Sequence, residues 1–228
     1  MIWIAALLVT TTALAAPRLV SVQGKCEIKV TPDRGSLQLN TEKVAPSSAT
    51  ALDEVSKKID AAKASIQKMN LKDLELRTTH LQLNRHSEWE NNKSVFKGFR
   101  ASLGLEVTTS DIKLLGNVMA EAAKLGLTGT DSFNTFLSLE KSRKEYLKCL
   151  DIAAIDAKKK AEQLAKTLNN DIGEVESIIE SPAVMHRPQP MMMMAEASMA
   201  KSMDAVAPSI EIGDQTFSAT VQVIYRLR

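Results

Sequence analysis

The last stretch of the chain, residues 215–228, reads Gln-Thr-Phe-Ser-Ala-Thr-Val-Gln-Val-Ile-Tyr-Arg-Leu-Arg. Its apolar side chains recur at every second position, namely Phe217, Ala219, Val221, Val223, Tyr225 and Leu227. Successive side chains of a β-strand point to opposite faces of a sheet, so this alternation predicts a strand with one buried face. The fold therefore contains a sheet, and the chain before residue 215 has to supply the other strands and the cover for that face.

Apolar alternation also predicts two strands near the start of the chain, Leu19–Val30 and Ser36–Val44, joined by a turn that contains Pro and Asp. A helix is predicted next, ending at about Met69, because apolar residues recur there at helical spacing. Ser47 or Ser48 is the expected N-cap of this helix, since a serine hydroxyl can accept a hydrogen bond from the first free backbone N–H groups.

The middle of the chain predicts six further elements. The first two are the strands Leu71–Leu83, with a bulge between Leu76 and Leu81, and Phe96–Thr109, which are joined through a polar hairpin tip at Ser87–Asn92. A helix follows, capped by Thr109 or Ser110 and ending at Gly126. The last three are a strand Ser132–Leu139, a helix Ser142–Leu168 and a strand Ile172–Glu180. The predicted order is ββαββαβαβ-loop-β. Strands and helices mix without strict alternation, which favours an α+β fold with a largely antiparallel sheet and helices packed on one face.

The first sixteen residues predict export. An apolar run at Ile2–Val9 is followed by Ala13-Leu14-Ala15, the small-x-small pattern of a signal-peptidase site. We expect residues 1–15 to be a signal peptide cleaved between Ala15 and Ala16, and residues 16–228 to form a single domain in the periplasm or outside the cell. The apolar run is too short to span a bilayer, so we expect no transmembrane segment in the mature protein.

Composition and motifs argue against several classes of function. The chain has 29 Lys and Arg against 27 Asp and Glu, so no strong field attracts nucleic acid, and aromatic residues are only 4% of the total. No Gly-rich phosphate loop, metal-type cysteine pair or serine-nucleophile motif is found in the sequence. We therefore predict no catalytic residues, no cofactor and no enzyme activity.

The chain contains two cysteines, Cys26 and Cys149. In an exported protein they could form a disulfide, closing a loop of roughly 120 residues and contributing about 4–5 kcal/mol in the chain-entropy model. However, Cys26 lies on the apolar side of its predicted strand, and Cys149 lies beside Leu150 in a predicted helix. Two separately buried thiols are the preferred interpretation, and a disulfide is the alternative.

Two histidines raise the question of a metal site. His80 and His86 have the same strand parity, so their side chains could lie on one face. That face is opposite to Leu81 and Leu83, and a solvated strand face is therefore the preferred interpretation over a metal site.

Lysines are concentrated on one face of the last predicted helix, at positions Lys158, Lys159, Lys160 and Lys166. Acidic residues are interspersed among them, so we interpret this face as solvated. Peripheral contact with anionic components of the envelope is the alternative.

A segment at residues 182–208 breaks every periodic pattern and is predicted to be a flexible insertion. It is rich in Pro and Met, with methionines at Met185, Met191, Met192, Met193, Met194, Met199 and Met203 and a histidine at His186. Three interpretations compete: a hydrophobic flap that packs on a partner subunit, a sink for oxidants because exposed Met oxidises reversibly, and a soft-metal site that binds copper. The flap is preferred, and the copper candidates are His186 together with the methionines from position 191 onward.

Four groups of short stretches follow one another along the chain: Val20–Gly24 with Thr31–Asp33, Gly98–Ala101 with Leu105–Val107 and Asp111, Ala153–Ala165 with Ile172–Val175, and Pro208–Gly213. In this order they resemble the SIMPL family of exported bacterial proteins of unknown function. Gln23 and Asn169-Asn170 stand where the family usually has Gly. The resemblance covers essentially the whole mature chain. It implies a periplasmic or cell-envelope protein linked to envelope or oxidative stress, without an established reaction.

These observations predict a non-catalytic envelope protein that forms a homo-oligomer through sheet edges or the Met-rich segment and has a protective or scaffolding role. The alternative is a protein that binds a soft metal or a small apolar ligand through the Met-rich segment.

Overall fold

The computed structural model describes residues 17–186 and 210–228. The elements are β1 (Leu19–Val30), β2 (Arg34–Ala45), α1 (Ser48–Lys68), β3 (Glu75–Glu90), β4 (Lys93–Thr109), a 3₁₀ turn (Ile112–Leu114), α2 (Leu115–Lys124), β5 (Thr128–Phe136), α3 (Leu139–Thr167), β6 (Ile172–His186) and β7 (Gln215–Leu227). The α+β class and the order of elements are confirmed. The strands form two sheets, in the orders β1-β7-β6 and β3-β4-β2-β5, where the sequence predicted one.

By its contacts the described chain divides into two compact units. Unit 1 comprises residues 17–28, 146–185 and 217–228, and unit 2 comprises residues 29–145, 186 and 210–216. The single domain expected over residues 16–228 stays a prediction. The predicted signal peptide and its cleavage positions, Ala15 and Ala16, lie outside the described residues. Within the described ranges, no helix has the length and apolar character needed to cross a membrane.

Unit 2 is built on an antiparallel four-stranded sheet whose central strands are β4 and β2. One face of these strands is mostly apolar and buried, with Leu37 and Leu39 from β2 and Leu105 and Val107 from β4 at most 1% exposed. Helices α1 and α2 cover this face and bury a stripe of their own at helical spacing: Ala51, Val55, Ile59, Ala62 and Ile66 from α1, and Leu115, Val118 and Ala122 from α2. The opposite face of the sheet is polar.

The start of α1 is as predicted, and the start of α2 is not. Ser47 caps α1 by accepting a hydrogen bond from the backbone N–H of Thr50 at 3.1 Å. The predicted caps of α2 are engaged elsewhere: the Thr109 hydroxyl donates to the Lys72 carbonyl at 2.6 Å, and the Ser110 hydroxyl donates to an Asp73 carboxylate oxygen at 2.6 Å. The chain therefore enters α2 through a 3₁₀ turn, and no side chain caps either helical segment.

The N-terminus of α3 is anchored by a carboxylate on the turn between β1 and β2. The Asp33 carboxylate accepts hydrogen bonds from the backbone N–H and from the hydroxyl of Ser138, both at 2.7 Å. The same hydroxyl accepts from the backbone N–H of Lys141 at 3.3 Å, so α3 begins at Leu139 and not at the predicted Ser142. Partial burial acts to raise the pKa of Asp33, but the Ser138 hydrogen bonds and the Lys141 charge outweigh it and leave the pKa below its ordinary value.

We predict that Asp33→Ala lowers the free energy of unfolding by about 2 kcal/mol at neutral pH, because it removes two hydrogen bonds to a charged acceptor. A carboxylate whose folded pKa is depressed stabilises the fold above its unfolded pKa of about 3.9, and this contribution is lost as the pH falls through the folded pKa. The difference between wild type and variant, measured by urea denaturation, is therefore constant from neutral pH to about pH 5 and shrinks at lower pH. A difference of equal size at pH 6 and pH 3 would contradict this assignment.

Unit 1 is a three-stranded sheet with β7 at its centre and α3 packed on one face. The alternating apolar residues of β7 are buried as predicted from Phe217 to Tyr225, while Leu227 is partly exposed. The buried stripe of α3 consists of small residues: Cys149, Ala153, Ala157, Ala161 and Ala165. These allow close approach to β1, where Gly24 lies so near that an added Cβ would be 1.9 Å from the Ala153 carbonyl oxygen.

The end of β6 differs from the prediction. The sequence predicts a strand that stops at Glu180 because Pro182 follows, whereas β6 continues to His186. β6 lies at an edge of its sheet, and proline is tolerated in an edge strand because its missing N–H can face away from the neighbouring strand. Residues 182–186 of the insertion predicted at 182–208 are therefore strand, and its other residues lie outside the described ones.

The two cysteines are joined. Cys26 of β1 and Cys149 of α3 form a disulfide with a Cα–Cα distance of 5.5 Å, and the preferred interpretation of two separate thiols is wrong. Both cysteines are buried as expected, at 4% and 0% exposure respectively. The close packing of α3 on β1 brings the two buried faces together, and a single sequence does not reveal this contact.

Candidate functional site

The most distinctive surface of the described chain is the hairpin formed by β3 and β4. β2 pairs with β4 only up to the match of Ala45 with Phe99, whereas β3 and β4 stay paired as far as Glu90 and Lys93. The outer part of the hairpin, residues 86–98, therefore extends beyond the end of β2. The predicted polar tip at Ser87–Asn92 is mostly strand, with a loop of two residues.

The loop and the bulges of the hairpin follow from particular residues. Asn91 and Asn92 have φ values of 48° and 63°, as a two-residue type I′ turn requires, and Asn tolerates this conformation better than most residues. One register shift lies between Thr78 and His80, inside the range where the sequence predicts a bulge. A second lies at His86, opposite Gly98, whose φ of 129° favours glycine and whose Cβ would lie 2.4 Å from the Ala45 carbonyl oxygen.

These bulges place a row of apolar side chains on the side of the sheet that carries the helices. We call this row the hairpin face, and it consists of Leu81, Leu83, Trp89 and Phe96, which are 58%, 41%, 77% and 45% exposed. Leu81 is paired with Leu103 and Leu83 with Ala101, both of which are buried. The part of β3 around Leu81 and Leu83 lies beyond the area that α1 and α2 cover, so these two leucines stay exposed, whereas Leu76 packs against the core.

Aromatic and cationic contacts order the outer part of the hairpin face. The Phe96 ring packs edge-on against Phe99 with ring centroids 5.5 Å apart. The Arg85 guanidinium lies 4.9 Å from the centroid of the Phe96 ring, within cation–π range. These contacts fix the orientation of Phe96 before any partner binds, which lowers the entropy cost of binding.

The opposite face of the hairpin is polar. His80 and His86 lie on one face, as predicted, since they pair with Gly104 and Gly98 of the same strand parity. His86 Nε2 lies 3.1 Å from a Glu88 carboxylate oxygen and 3.4 Å from an Arg100 guanidinium nitrogen. Across the described ranges, no three His, Cys, Asp or Glu side chains are grouped as metal ligands would be.

His80 also contacts Ser102, and a histidine beside a serine hydroxyl is the arrangement found in catalytic base–nucleophile pairs. His80 Nε2 lies 3.0 Å from the Ser102 hydroxyl, and the ring packs over Gly104, which leaves room for it. A nucleophilic serine needs a base that is itself oriented, usually by a carboxylate. The other ring nitrogen, Nδ1, instead faces the Thr79 hydroxyl at 3.5 Å. This pair therefore lacks the third group of a triad among the described residues.

A cleft of about 580 Å³ in unit 2 contains three carboxylates, those of Asp33, Asp73 and Asp111. All three already accept hydrogen bonds within the fold. Asp33 accepts from Ser138, Asp73 accepts from the Ser110 hydroxyl, and Asp111 accepts from the backbone N–H of Lys72 at 2.6 Å. Asp73 and Asp111 thus fasten the loop at residues 72–73 to the loop at residues 110–111, and Asp33 fastens the turn between β1 and β2 to Ser138, so all three have structural roles.

The lysine-rich face of α3 is exposed. Lys160 pairs with Asp156 at 2.6 Å and Lys158 with Glu162 at 3.9 Å, both four residues apart on the helix. The Lys160 hydrogen bond, with one from the Lys25 backbone N–H, lowers the pKa of Asp156. Exposed pairs of this kind contribute little to stability, and the geometry adds nothing that indicates a specific partner.

The copper candidates lie almost entirely outside the described residues. Met191, Met192, Met193, Met194, Met199 and Met203 fall in residues 187–209. His186 is the last residue of β6, and its side chain is not among those described.

The hairpin face, by contrast, was not indicated by the sequence pattern: Trp89 was placed in a polar tip and Leu81 and Leu83 on a buried face. The one available signal was a tryptophan inside an otherwise polar run.

Comparison with known proteins finds similar sequences of unknown function. The model of the SIMPL family, described as a protein of unknown function (DUF541), matches residues 20–225. The uncharacterized protein YggE of Escherichia coli strain K12 is 23% identical over 211 residues, which cover 92% of this chain and 83% of that protein. The proteins of the same name from Escherichia coli O157:H7 and Shigella flexneri match with the same identity and coverage.

Proposed function

Because the chain belongs to the SIMPL family, whose members have no assigned activity, we propose its function from its surfaces: a non-catalytic protein of the cell envelope that self-associates. The observation that carries this proposal is the exposed hairpin face. Its four large side chains expose on the order of 400 Å² of apolar surface, taking about 200 Å² for each large side chain when fully exposed. The largest exposed apolar patch of a soluble protein is often functional, and a patch of several hundred Å² is a candidate interaction site.

Two further observations support the proposal. The disulfide between Cys26 and Cys149 is a feature of proteins that mature in an oxidising compartment, in agreement with the export predicted from residues 1–16. The hairpin face contains a tryptophan and a phenylalanine, and Arg85 lies over the phenylalanine; all three are residue types enriched at protein interfaces. A protective or scaffolding role in the envelope, linked to oxidative or envelope stress, is the function we assign to the assembly.

The proposal is tested by the mass of the purified protein in solution, measured by size-exclusion chromatography with light scattering. We expect wild type to have at least twice the monomer mass, and Leu81→Asp to shift the protein toward monomer because a buried carboxylate is costly at an interface. Leu164→Asp is the matched control, since Leu164 lies on α3 and has similar exposure, 48% against 58% for Leu81. A wild type that is strictly monomeric at all concentrations would overturn the proposal.

A second measurement addresses location. Cell fractionation is expected to recover the protein in the periplasmic or secreted fraction, with the thiols of Cys26 and Cys149 unreactive until a reducing agent is added. Recovery in the cytoplasm with two free thiols would count against an envelope function.

A further inference from the structure

The outer edge of β1 has no neighbouring strand. β1 ends the three-stranded sheet of unit 1, and within the described ranges β7 is its only strand neighbour. The other edge strand of this sheet, β6, contains Pro182, and proline protects edge strands because it lacks a backbone N–H. The twelve residues of β1 include no proline. Its outer backbone groups are therefore open to pairing unless another part of the chain covers them.

The backbone groups that point to this outer edge can be identified from one hydrogen bond. Successive residues of a strand direct their N–H and C=O groups to opposite edges. The Leu227 backbone N–H donates to the Arg18 carbonyl at 2.9 Å, so the even-numbered residues of β1 face β7. The odd-numbered residues, among them Gln23 and Lys25, consequently direct their backbone groups outward.

Two side chains of α3 bind these outward groups. Asp156 Oδ2 accepts a hydrogen bond from the Lys25 backbone N–H at 2.9 Å, and Lys160 Nζ donates one to the Gln23 carbonyl at 3.0 Å. Lys160 Nζ also donates to Asp156 Oδ2 at 2.6 Å. The hydrogen bonds from Lys160 and Lys25 lower the pKa of Asp156, so its carboxylate is ionised at neutral pH and acts only as an acceptor.

The close packing of α3 on β1 brings this pair to the edge. Ala157 and Ala161 belong to the fully buried row of α3, and Asp156 and Lys160 each precede one of them. The preceding residue of a helix lies about 100° around the axis, so the pair lies at the flank of the buried row. The missing side chain of Gly24 permits this packing, because a Cβ there would lie 2.7 Å from the Ala157 backbone nitrogen.

We propose that Asp156 and Lys160 take the place of a neighbouring strand at the outer edge of β1 and prevent this edge from pairing with a second copy of the chain. An antiparallel neighbour would offer an acceptor to the Lys25 N–H and a donor to the Gln23 carbonyl. The carboxylate and the ammonium supply the same two groups. This protective role concerns unit 1 and does not depend on the self-association proposed for the hairpin face.

The surroundings of the pair explain why an open edge would attract a strand. A pocket of about 410 Å³ lies between β1 and α3, and its lining includes the apolar side chains of Val22 and Leu164 as well as Lys160. A strand added to a sheet edge gains affinity from backbone hydrogen bonds and from pockets that accept alternate side chains. Without the pair, β1 would offer both features.

Hydrogen exchange tests the contact itself. The double variant Asp156→Ala with Lys160→Met removes both polar groups and keeps good helix formers. We expect its Lys25 amide proton to exchange about tenfold faster than in wild type, because a hydrogen bond to a charged acceptor is lost. Lys158→Met with Glu162→Ala is the matched control, since it removes the same two groups from another pair of α3. Equal exchange of Lys25 in both variants would overturn the inference.

The mass in solution, measured by light scattering, tests the consequence. All variants carry Leu81→Asp, so that association through the hairpin face does not contribute. We expect the double variant to form dimers or larger species at concentrations where the control variant has the mass of Leu81→Asp alone. Adding Lys25→Pro is expected to reverse this gain, because proline at an outward-facing edge position blocks strand pairing.

Two outcomes of the mass measurement count against the protective role. They are a double variant that gains no mass and a gain that persists after Lys25→Pro is added. The self-association proposed for the hairpin face is judged separately, from the mass of the wild type, so that either proposal can fail while the other stands.

Discussion

Replacing both Cys26 and Cys149 by alanine is expected to lower the free energy of unfolding by about 4–5 kcal/mol. The disulfide joins residues separated by 123 positions, so the reduced chain regains the entropy of a very long loop when it unfolds. Both sulfur atoms are buried, and their removal adds a small packing loss that works in the same direction. An effect of this size is a large fraction of the total stability of an ordinary domain.

The measurement is guanidinium denaturation of the oxidised wild type, the reduced wild type and the double variant. The reduced wild type serves as the control for packing, because it keeps the sulfur atoms and loses only the bond. We expect it to be destabilised nearly as much as the double variant. A loss of less than about 1 kcal/mol in both would show that the bond is not a major determinant of stability.

The second large effect is expected from Gly24→Ala, a change of one methyl group. A Cβ at position 24 would lie 1.9 Å from the Ala153 carbonyl oxygen, 2.7 Å from the Ala157 backbone nitrogen and 2.8 Å from the Ala157 Cβ. Two of these three atoms belong to the backbone of α3, so no side chain can rotate away to make room. The helix has to move off β1, and we expect a loss of about 3 kcal/mol or more in the free energy of unfolding.

Gly213→Ala is the matched control, because a Cβ at position 213 would meet no atom within 4 Å. It is expected to change the free energy of unfolding by no more than about 0.5 kcal/mol. Urea denaturation followed by far-UV circular dichroism reports on both units, which is needed because Gly24 belongs to unit 1 and Gly213 to unit 2. Equal stabilities of the two variants would show that the approach of α3 to β1 is looser than described.

Several local features could be predicted from the sequence because they depend on neighbouring residues. β1 spans Leu19–Val30 as predicted, since strict alternation of apolar and polar side chains is sufficient to define a strand. The position of Ser47 before an apolar stripe was sufficient to predict the start of α1. The bulge in β3 could be predicted because the apolar parity changes between Leu76 and Leu81, and the structure changes register within that interval.

Other features could not be predicted, since they depend on residues distant in the chain. Pro182 ends a strand in most contexts, and only the edge position of β6 explains why this strand continues. The hydroxyls of Thr109 and Ser110 were expected to cap α2, but the loop at Lys72 and Asp73, about 37 residues earlier, binds them instead. Local propensity predicts what a residue can do, and the folded chain determines which partner it meets.

The exposure of the hairpin face could not be predicted from the local sequence either. The alternation in β3 correctly predicts that Leu81 and Leu83 share a face, and it equally predicts that this face is buried. Their exposure is decided by the extent of α1 and α2, which cover β4 and β2 but leave the part of β3 around Leu81 and Leu83 uncovered. The sequence by itself determined the strands, the helices, the bulge and the membership of a family. The tertiary structure decided which apolar faces are covered and that Cys26 meets Cys149, because burial and pairing depend on what packs against an element, and the local pattern does not encode this.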